Sequence, residues 1–287
     1  MASNKLQNLE ERWVICDGRP VHYWASKSDR YASPITLIHL HGFGISGRYL
    51  LPTADLIAAE YRTFVPNLPG YGRSVRPGSV LSIPQLGEAM VQFLDAVGVE
   101  HATLIGNSMG CIVAIETARI VPDRIERLVL VSPAGGLYNR PIFKGVAQLA
   151  LDGLRESPRM FTIAVPDYLR FGLINAGRLF WQMIHYPTVE RFQGTQTDSL
   201  VIVGERDPLV SERRIVDGTQ VNGRIQIVRL GGAAHAINYS HPEKLAHLIR
   251  LFLNDQTLED DGISKGSVVV LRRLLLKPMA TASSTSG

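Results

Sequence analysis

The sequence predicts an α/β protein with a mainly parallel sheet covered by helices on both faces. Short runs of aliphatic and β-branched residues alternate with longer segments whose apolar residues recur at helical spacing. The 287 residues, 45% of them hydrophobic and 20% charged, suffice for a large core. The longest apolar runs, such as Val268–Leu271, are far shorter than the ~20 residues that span a bilayer.

The elements follow one another regularly along most of the chain. In the helix predicted over Ile83–Val97, apolar residues form one stripe, Pro84 suits the first turn and Gly98 follows the C-terminal end. The other predicted helices are Ser108–Arg119 and Pro242–Leu253, and the predicted strands are Ile35–Leu40, Tyr61–Pro66, Ala102–Ile105, Arg127–Val131, Leu200–Val203 and Ile225–Leu230.

Residues 136–195 interrupt this alternation. They are rich in aromatic residues and methionine and have no strand pattern, so they predict a mostly helical insertion. Two interpretations are open for it: extra helices that pack for stability, or a lid over a site. The position of the insertion favours the lid.

The formal net charge of +4 lies entirely in the last residues of the chain. Residues 262–287 contain four basic residues and no acidic one, so the 26 acidic residues of the remainder are balanced by the other 26 basic ones. A neutral body gives no support for a nucleic-acid partner, which would normally meet a basic stripe.

The cysteines and the N-terminus bear on the compartment and on cofactors. Cys16 and Cys111 are far apart and belong to no group with metal-ligand spacing, so we expect neither a disulfide nor a metal, and no cofactor. Residues 1–5 are not followed by the apolar core of a secretory signal. We therefore expect a cytoplasmic protein.

The strongest local motif is Gly106-Asn107-Ser108-Met109-Gly110, between a predicted strand and a predicted helix. The chain turns there too sharply for side chains at the flanking positions, which explains the two glycines. The turn holds Ser108 in a strained conformation, with its hydroxyl exposed at a helix N-terminus. Ser108 is therefore the candidate nucleophile.

A serine hydroxyl needs a base to take its proton, and the base needs an orienting partner. His235 follows the last predicted strand in a loop of small residues, so its ring can reach a nucleophile above the sheet. The acid should follow a strand between Ser108 and His235. Asp207 is the candidate and Glu205 the alternative.

An oxyanion formed by such an attack needs backbone N–H donors. The segment His41-Gly42-Phe43-Gly44 follows the first predicted strand, and its glycines allow N–H groups to point inward. We expect the donors to be Phe43 and Met109, with Gly44 as the alternative to Phe43. Gly42 and Asn107 are candidate substrate-binding residues.

These motifs together resemble those of the α/β-hydrolase superfamily, over about residues 12–255. The chain order Ser108, Asp207, His235 is the order of that superfamily, Asn67–Ser74 resembles its Pro-Gly-x-Gly-x-Ser loop, and Gly204–Val210 resembles its acid-bearing loop. The resemblance implies a mostly parallel eight-stranded sheet with an inserted helical cap. The implied division is core over 1–135 and 196–257, cap over 136–195, and a C-terminal extension over 258–287.

The resemblance further implies two-step acyl transfer on a small, hydrophobic acyl substrate. Hydrolysis of an ester, lactone or thioester is the first hypothesis. The elbow also resembles carbon–carbon bond hydrolases of aromatic ring-fission products, but Ala236 stands where those enzymes usually have Trp. Acyl transfer on the same residues and a non-catalytic binding role are also compatible with these motifs. The arginines of the insertion permit a carboxylate on the substrate.

The sequence does not determine the oligomeric state or the role of the C-terminal extension. A homodimer is compatible with it. The apolar and basic run Val268–Lys277 is interpreted as part of a poorly ordered extension, although it could instead dock on the body, on a partner or on an anionic membrane.

Overall fold

A single mixed sheet forms the centre of the molecule in a computed structural model that describes residues 6–28, 31, 33–219, 223–261 and 266–272. Its strands are β1 Leu9–Cys16, β2 Arg19–Ser26, β3 Thr36–Leu40, β4 Arg62–Pro66, β5 Ala102–Asn107, β6 Ile125–Val131, β7 Asp198–Gly204, β8 Ile225–Leu230 and β9 Val268–Arg272. They lie in the order β1-β2-β4-β3-β5-β6-β7-β8-β9. Neighbours from β4 to β8 pair in parallel, and β1, β2 and β9 pair antiparallel.

Helices cover both faces of the sheet. They are α1 Leu51–Ile57, α2 Ile83–Ala96, α3 Met109–Ile120, α4 Ile142–Arg155, α5 Phe161–Phe171, α6 Leu173–His185, α7 Thr188–Gln193, α8 Glu212–Gly218, α9 Ile237–Ser240 and α10 Pro242–Leu253. Helices α2 and α3 pack together over one face, and α1 packs with α10 over the other. Each face has its own buried cluster, with Phe93 and Ile112 in one and Leu245 and Ile249 in the other. The sheet is therefore buried on both sides, as parallel strands require.

All the predicted strands and helices are present, with ends that differ by at most two residues. The hairpin of β1 and β2 is an addition to the prediction. Strand β1 contains Glu10, Glu11 and Arg12 and has no apolar pattern that would predict a strand. Most of its side chains are exposed or half-buried. Pairing with β2, rather than burial of its own side chains, makes this segment a strand.

Among the described residues the sheet has nine strands, one more than the predicted eight. The ninth, β9, lies in the segment that the sequence suggests to be poorly ordered. Val268 is buried in the core cluster with Leu245, and the outward N–H groups of Val268 and Val270 donate to the carboxylates of Asp261 and Asp260. The apolar run therefore docks on the body over these residues. Residues 262–265 and 273–287 lie outside the described part of the chain.

Four helices, α4 to α7, lie between β6 and β7, within the predicted insertion. They contact the core through polar and aromatic groups. Asp167 accepts from the backbone N–H and the hydroxyl of Ser46, at 2.8 and 2.6 Å, and the ring of Phe171 stacks on that of Tyr71. Tyr186 donates to Glu116, which is fully buried on α3. No helix in the described ranges is both long and apolar enough to cross a membrane.

Helix α3 starts directly against strand β3. A Cβ on Gly110 would lie 2.1 Å from the Leu40 carbonyl oxygen, and a Cβ on Gly106 would lie 2.5 Å from three backbone atoms of Gly110 and Cys111. Real Cβ atoms do not approach backbone so closely. The junction between β5 and α3 thus needs glycine at both positions.

We predict that Gly110→Ala prevents accumulation of folded protein or severely lowers its melting temperature, because the strand and the helix would have to separate. The matched control is Gly177→Ala, on α6, where the added Cβ meets nothing within 4 Å. Because alanine favours helix, the control should raise the free energy of unfolding by about 0.5–1 kcal/mol. Thermal denaturation followed by circular dichroism measures both. A Gly110→Ala protein as stable as wild type would contradict the assignment.

Removal of β9 should also destabilise the folded protein. Deletion of residues 262–287 exposes the β8 edge and the Val268 site, and we expect the free energy of unfolding to fall by about 2 kcal/mol. Deletion of 273–287 keeps β9 and serves as the control. Urea denaturation of the two truncated proteins measures the difference. Equal stability of both would show that β9 contributes nothing.

Candidate active site

Ser108 lies at the turn between β5 and α3. Its φ of 56° places it in the left-handed region, which costs a non-glycine residue about 1–3 kcal/mol. Two backbone hydrogen bonds of 3.0 Å hold the turn: the Ser108 N–H donates to Val131, and the Cys111 N–H donates to Ser108. The side chain lines a cavity at the ends of the parallel strands.

His235 and Asp207 meet in the loops that follow β8 and β7. The ring nitrogen Nδ1 of His235 is 2.7 Å from Oδ2 of Asp207, and the other carboxylate oxygen accepts from the Leu209 N–H at 2.8 Å. Both side chains are buried. Glu205, the alternative acid, accepts from the Gly232 N–H at 2.7 Å on the exposed side of the loop and does not pair with His235.

A chain of hydrogen bonds connects the glycine loop, the serine turn and the histidine loop. The Gly42 N–H donates to the Tyr49 hydroxyl at 2.8 Å, which donates to Oδ1 of Asn107 at 2.6 Å. The Asn107 amide then donates to the carbonyls of Val131 and His235, at 3.1 and 3.2 Å. Gly42 and Asn107 line the cavity, but these polar groups are used to hold the loops together. Tyr49, which the sequence does not single out, is the centre of this chain.

The two expected oxyanion donors keep their N–H groups available. Within the described residues, neither the Phe43 nor the Met109 amide donates to a protein group. His41 fixes the loop before Phe43, because its Nε2 accepts from the Leu68 N–H at 2.9 Å and its Nδ1 lies 3.0 Å from the Gly42 carbonyl oxygen. Burial lowers the pKa of His41 to about 4, so the ring is neutral at pH 7. Gly44, the alternative donor, has a φ of 72° and lies against the Tyr168 ring.

The cavity that Ser108 and His235 share has a volume of about 510 Å³. Its lining is mostly apolar and comes from the glycine loop and from helices α4 and α5. Val146, Leu149, Met160, Ala164 and Leu169 belong to this lining. Such a wall suits a hydrophobic group next to a reactive hydroxyl.

Two carboxylates at the C-terminal end of α4, Asp152 and Glu156, also line this cavity, and no sequence motif marks them. Glu156 accepts from the Ala236 N–H at 2.7 Å, so it holds the histidine loop. Asp152 is buried, and its Oδ1 has no hydrogen-bond partner within the described residues. The only sequence signal is two acids four residues apart in a largely apolar helix.

These acids change the electrostatics of His235. Burial alone lowers the pKa of the ring, but the charge and hydrogen bond of Asp207, together with Asp152 and Glu156, raise it to about 9. Burial in turn raises the pKa of Asp152 to about 6. The insertion therefore contributes negative charge, and not the arginines of the sequence hypothesis: no described residue lining the cavity is Lys or Arg.

The part of the chain that the structure describes contains possible metal ligands and thiols. No three His, Cys, Asp or Glu side chains there are grouped to hold an ion. Burial raises the pKa of both thiols, to about 11 for Cys16 and well above its usual range for Cys111. The cysteines are thus poor nucleophiles, and Ser108 remains the candidate.

Known proteins resemble this chain in sequence and in fold. A pimeloyl-acyl-carrier-protein methyl ester esterase of Aeromonas salmonicida is 32% identical over 129 residues, 45% of this chain; the chain spans about half the length of that relative (49%). Esterase YbfF of Escherichia coli is 25% identical over 246 residues, 78% of this chain and 94% of the esterase. Among solved structures, a bacterial membrane phospholipase A has a TM-score of 0.74 at 22% identity, with 86% of each chain covered.

The solved structure shows the fold alone, since its identity is below 25%. The family is shown by a broader comparison: residues 37–248 match the model of the alpha/beta hydrolase family. That stretch contains the serine turn, helices α4 to α7 and both loops that carry Asp207 and His235. The chain belongs to the alpha/beta hydrolase family.

Proposed function

We propose that this protein is a serine hydrolase that cleaves an uncharged ester, lactone or thioester with a hydrophobic acyl group. The observation that carries the proposal is the 2.7 Å contact of Asp207 with His235, which lines the same cavity as Ser108. Relatives named as esterases support the reaction class. In this proposal Ser108 is the nucleophile, His235 the general base and Asp207 its orienting partner.

The reaction would proceed in two steps through an acyl-enzyme. Ser108 attacks the carbonyl carbon while His235 takes the hydroxyl proton, and the N–H groups of Phe43 and Met109 stabilise the oxyanion. His235 then protonates the leaving group, which departs. Water attacks the acyl-enzyme with His235 again as base, and Ser108 is released with its proton.

The cavity wall supports an uncharged hydrophobic substrate. Asp152 and Glu156 would repel a free carboxylate, whereas the apolar side chains of α4 and α5 can surround an alkyl or aryl group. The same helices cover Ser108 and His235 from the side opposite the sheet, so we propose that residues 136–195 act as a lid. Carbon–carbon hydrolysis and acyl transfer use the same residues and are the competing reactions in the test below.

The reaction class is tested by a panel of substrates. We expect purified protein to hydrolyse p-nitrophenyl esters of graded chain length, and Ser108→Ala to lower kcat/KM by at least about a thousandfold. A fluorophosphonate should label the wild type and not Ser108→Ala. Asp207→Asn should be strongly impaired, whereas the matched control Glu205→Gln should keep its activity. Lack of turnover of esters, lactones and a dienone ring-fission product, with Ser108 unlabelled, would overturn the proposal.

The pH dependence of kcat/KM should report the charges around His235. Only the neutral ring accepts the serine proton. A pKa of about 9 therefore predicts activity that rises with pH through the neutral range and levels off only above about pH 9. Asp152→Asn and Glu156→Gln each remove a negative charge next to the ring. Both should lower the pKa of His235 and move the rise to lower pH.

The matched control for these two variants is Glu190→Gln, a cap acid that does not line the cavity with His235. Its profile should coincide with that of the wild type. If kcat/KM rises at the same pH in the wild type and in all three variants, the α4 carboxylates do not act on His235.

A further inference from the structure

The cap helices expose an unusual amount of apolar surface. Phe143 and Leu154 on α4 are 73% and 83% exposed, Leu169 on α5 is 77% exposed, and Leu173 at the start of α6 is 88% exposed. On α4 the spacing of Phe143, Ala150 and Leu154 places them along one side of the helix. Large aliphatic side chains clustered outside a core mark an interaction surface.

This surface continues into the cavity. Five cap residues both line the cavity and are exposed on the outside: Val146, Ala150, Phe161, Val165 and Leu169. They belong to α4 and α5, so these two helices frame the mouth with an apolar rim. An alkyl chain can pass from the outer surface to Ser108 along apolar side chains throughout.

In residues 142–185, which form α4 to α6, acidic and basic side chains lie on different sides of the helices. The three acids of this segment turn to the core: Asp152 and Glu156 lie by the histidine loop, and Asp167 accepts from Ser46. The exposed charges are basic, and each is close in sequence to an exposed apolar residue. They are Arg155, Arg159, Arg170 and Arg178, of which Arg155 and Arg170 also donate to the carbonyl oxygens of Arg206 and Gly72 in the core. An apolar face flanked by basic side chains is complementary to an anionic lipid surface.

We propose that the outer face of α4 and α5 docks on an anionic lipid surface, with the mouth of the cavity facing the lipid. The apolar rim enters the boundary of the acyl chains, and the arginines lie at the level of the headgroups. From the sequence, an anionic membrane is one alternative partner for the C-terminal extension, but its apolar residues 268–271 pack on β8. Docking itself does not depend on the proposed activity of Ser108.

Vesicle sedimentation of the full chain tests the proposal. We expect the protein to sediment with vesicles of phosphatidylcholine mixed with phosphatidylserine, and far less with phosphatidylcholine alone. The double variant Phe143→Ser/Leu154→Ser should bind about tenfold more weakly. Neither residue lines the cavity, so hydrolysis of a water-soluble p-nitrophenyl ester should be unchanged, which also shows that the variant is folded.

The matched control is Ile15→Ser, an exposed apolar residue on β1 at the far edge of the sheet. It should bind vesicles like the wild type. Arg159→Gln and Arg178→Gln should each weaken binding to the anionic vesicles about fivefold and leave binding to neutral ones unchanged.

Three outcomes would overturn the proposal: no sedimentation with anionic vesicles, equal binding by wild type and the apolar double variant, or a dimer in sedimentation velocity that the double variant abolishes. The last would assign the face to a second copy of the chain. If the soluble ester is not hydrolysed while anionic vesicles are bound, the proposed function fails and the docking surface stands.

Discussion

The contact of the serine turn with strand β3 constrains the rest of the site. Gly110 lies so close to the Leu40 carbonyl that no side chain fits between them, and Gly106 lies almost as close to the start of α3. This contact holds Ser108 in its left-handed conformation at the end of the sheet. Because β3 also leads into the glycine loop, the same contact sets the position of Phe43 relative to Ser108. The proposed nucleophile and the proposed oxyanion donors are thus positioned by backbone and not by flexible side chains.

Polar side chains extend this rigid centre outward. Tyr49 and Asn107 connect the glycine loop to the loop of His235, and both are buried, so loss of one bond would leave an unsatisfied group in the core. His41 is neutral and accepts from the Leu68 N–H, which holds the other side of the glycine loop. The site is therefore one network, in which groups that do not meet the substrate determine the positions of those that do.

The insertion between β6 and β7 also contributes to this network. Glu156 holds the Ala236 N–H and Asp152 lies next to it, so the electrostatics of His235 belong partly to α4. The same orientation leaves the outer side of α4 with apolar and basic groups. One helix thus sets the charge inside the cavity and the character of the surface around its mouth, and both follow from which way its acids point.

Local pattern and chain order were enough to predict the parallel centre of the sheet, the serine turn, and the positions of Asp207 and His235 after neighbouring strands. Periodicity and turn chemistry are local, so they can be recognised without a fold. Strands β1 and β9 and the places of Tyr49, Asp152 and Glu156 at the site depend on long-range contacts that no local pattern contains. β1 and β9 are strands because a distant partner supplies their hydrogen bonds. Asp152 and Glu156 lie at the site because α4 folds back over a loop about 80 residues further along the chain.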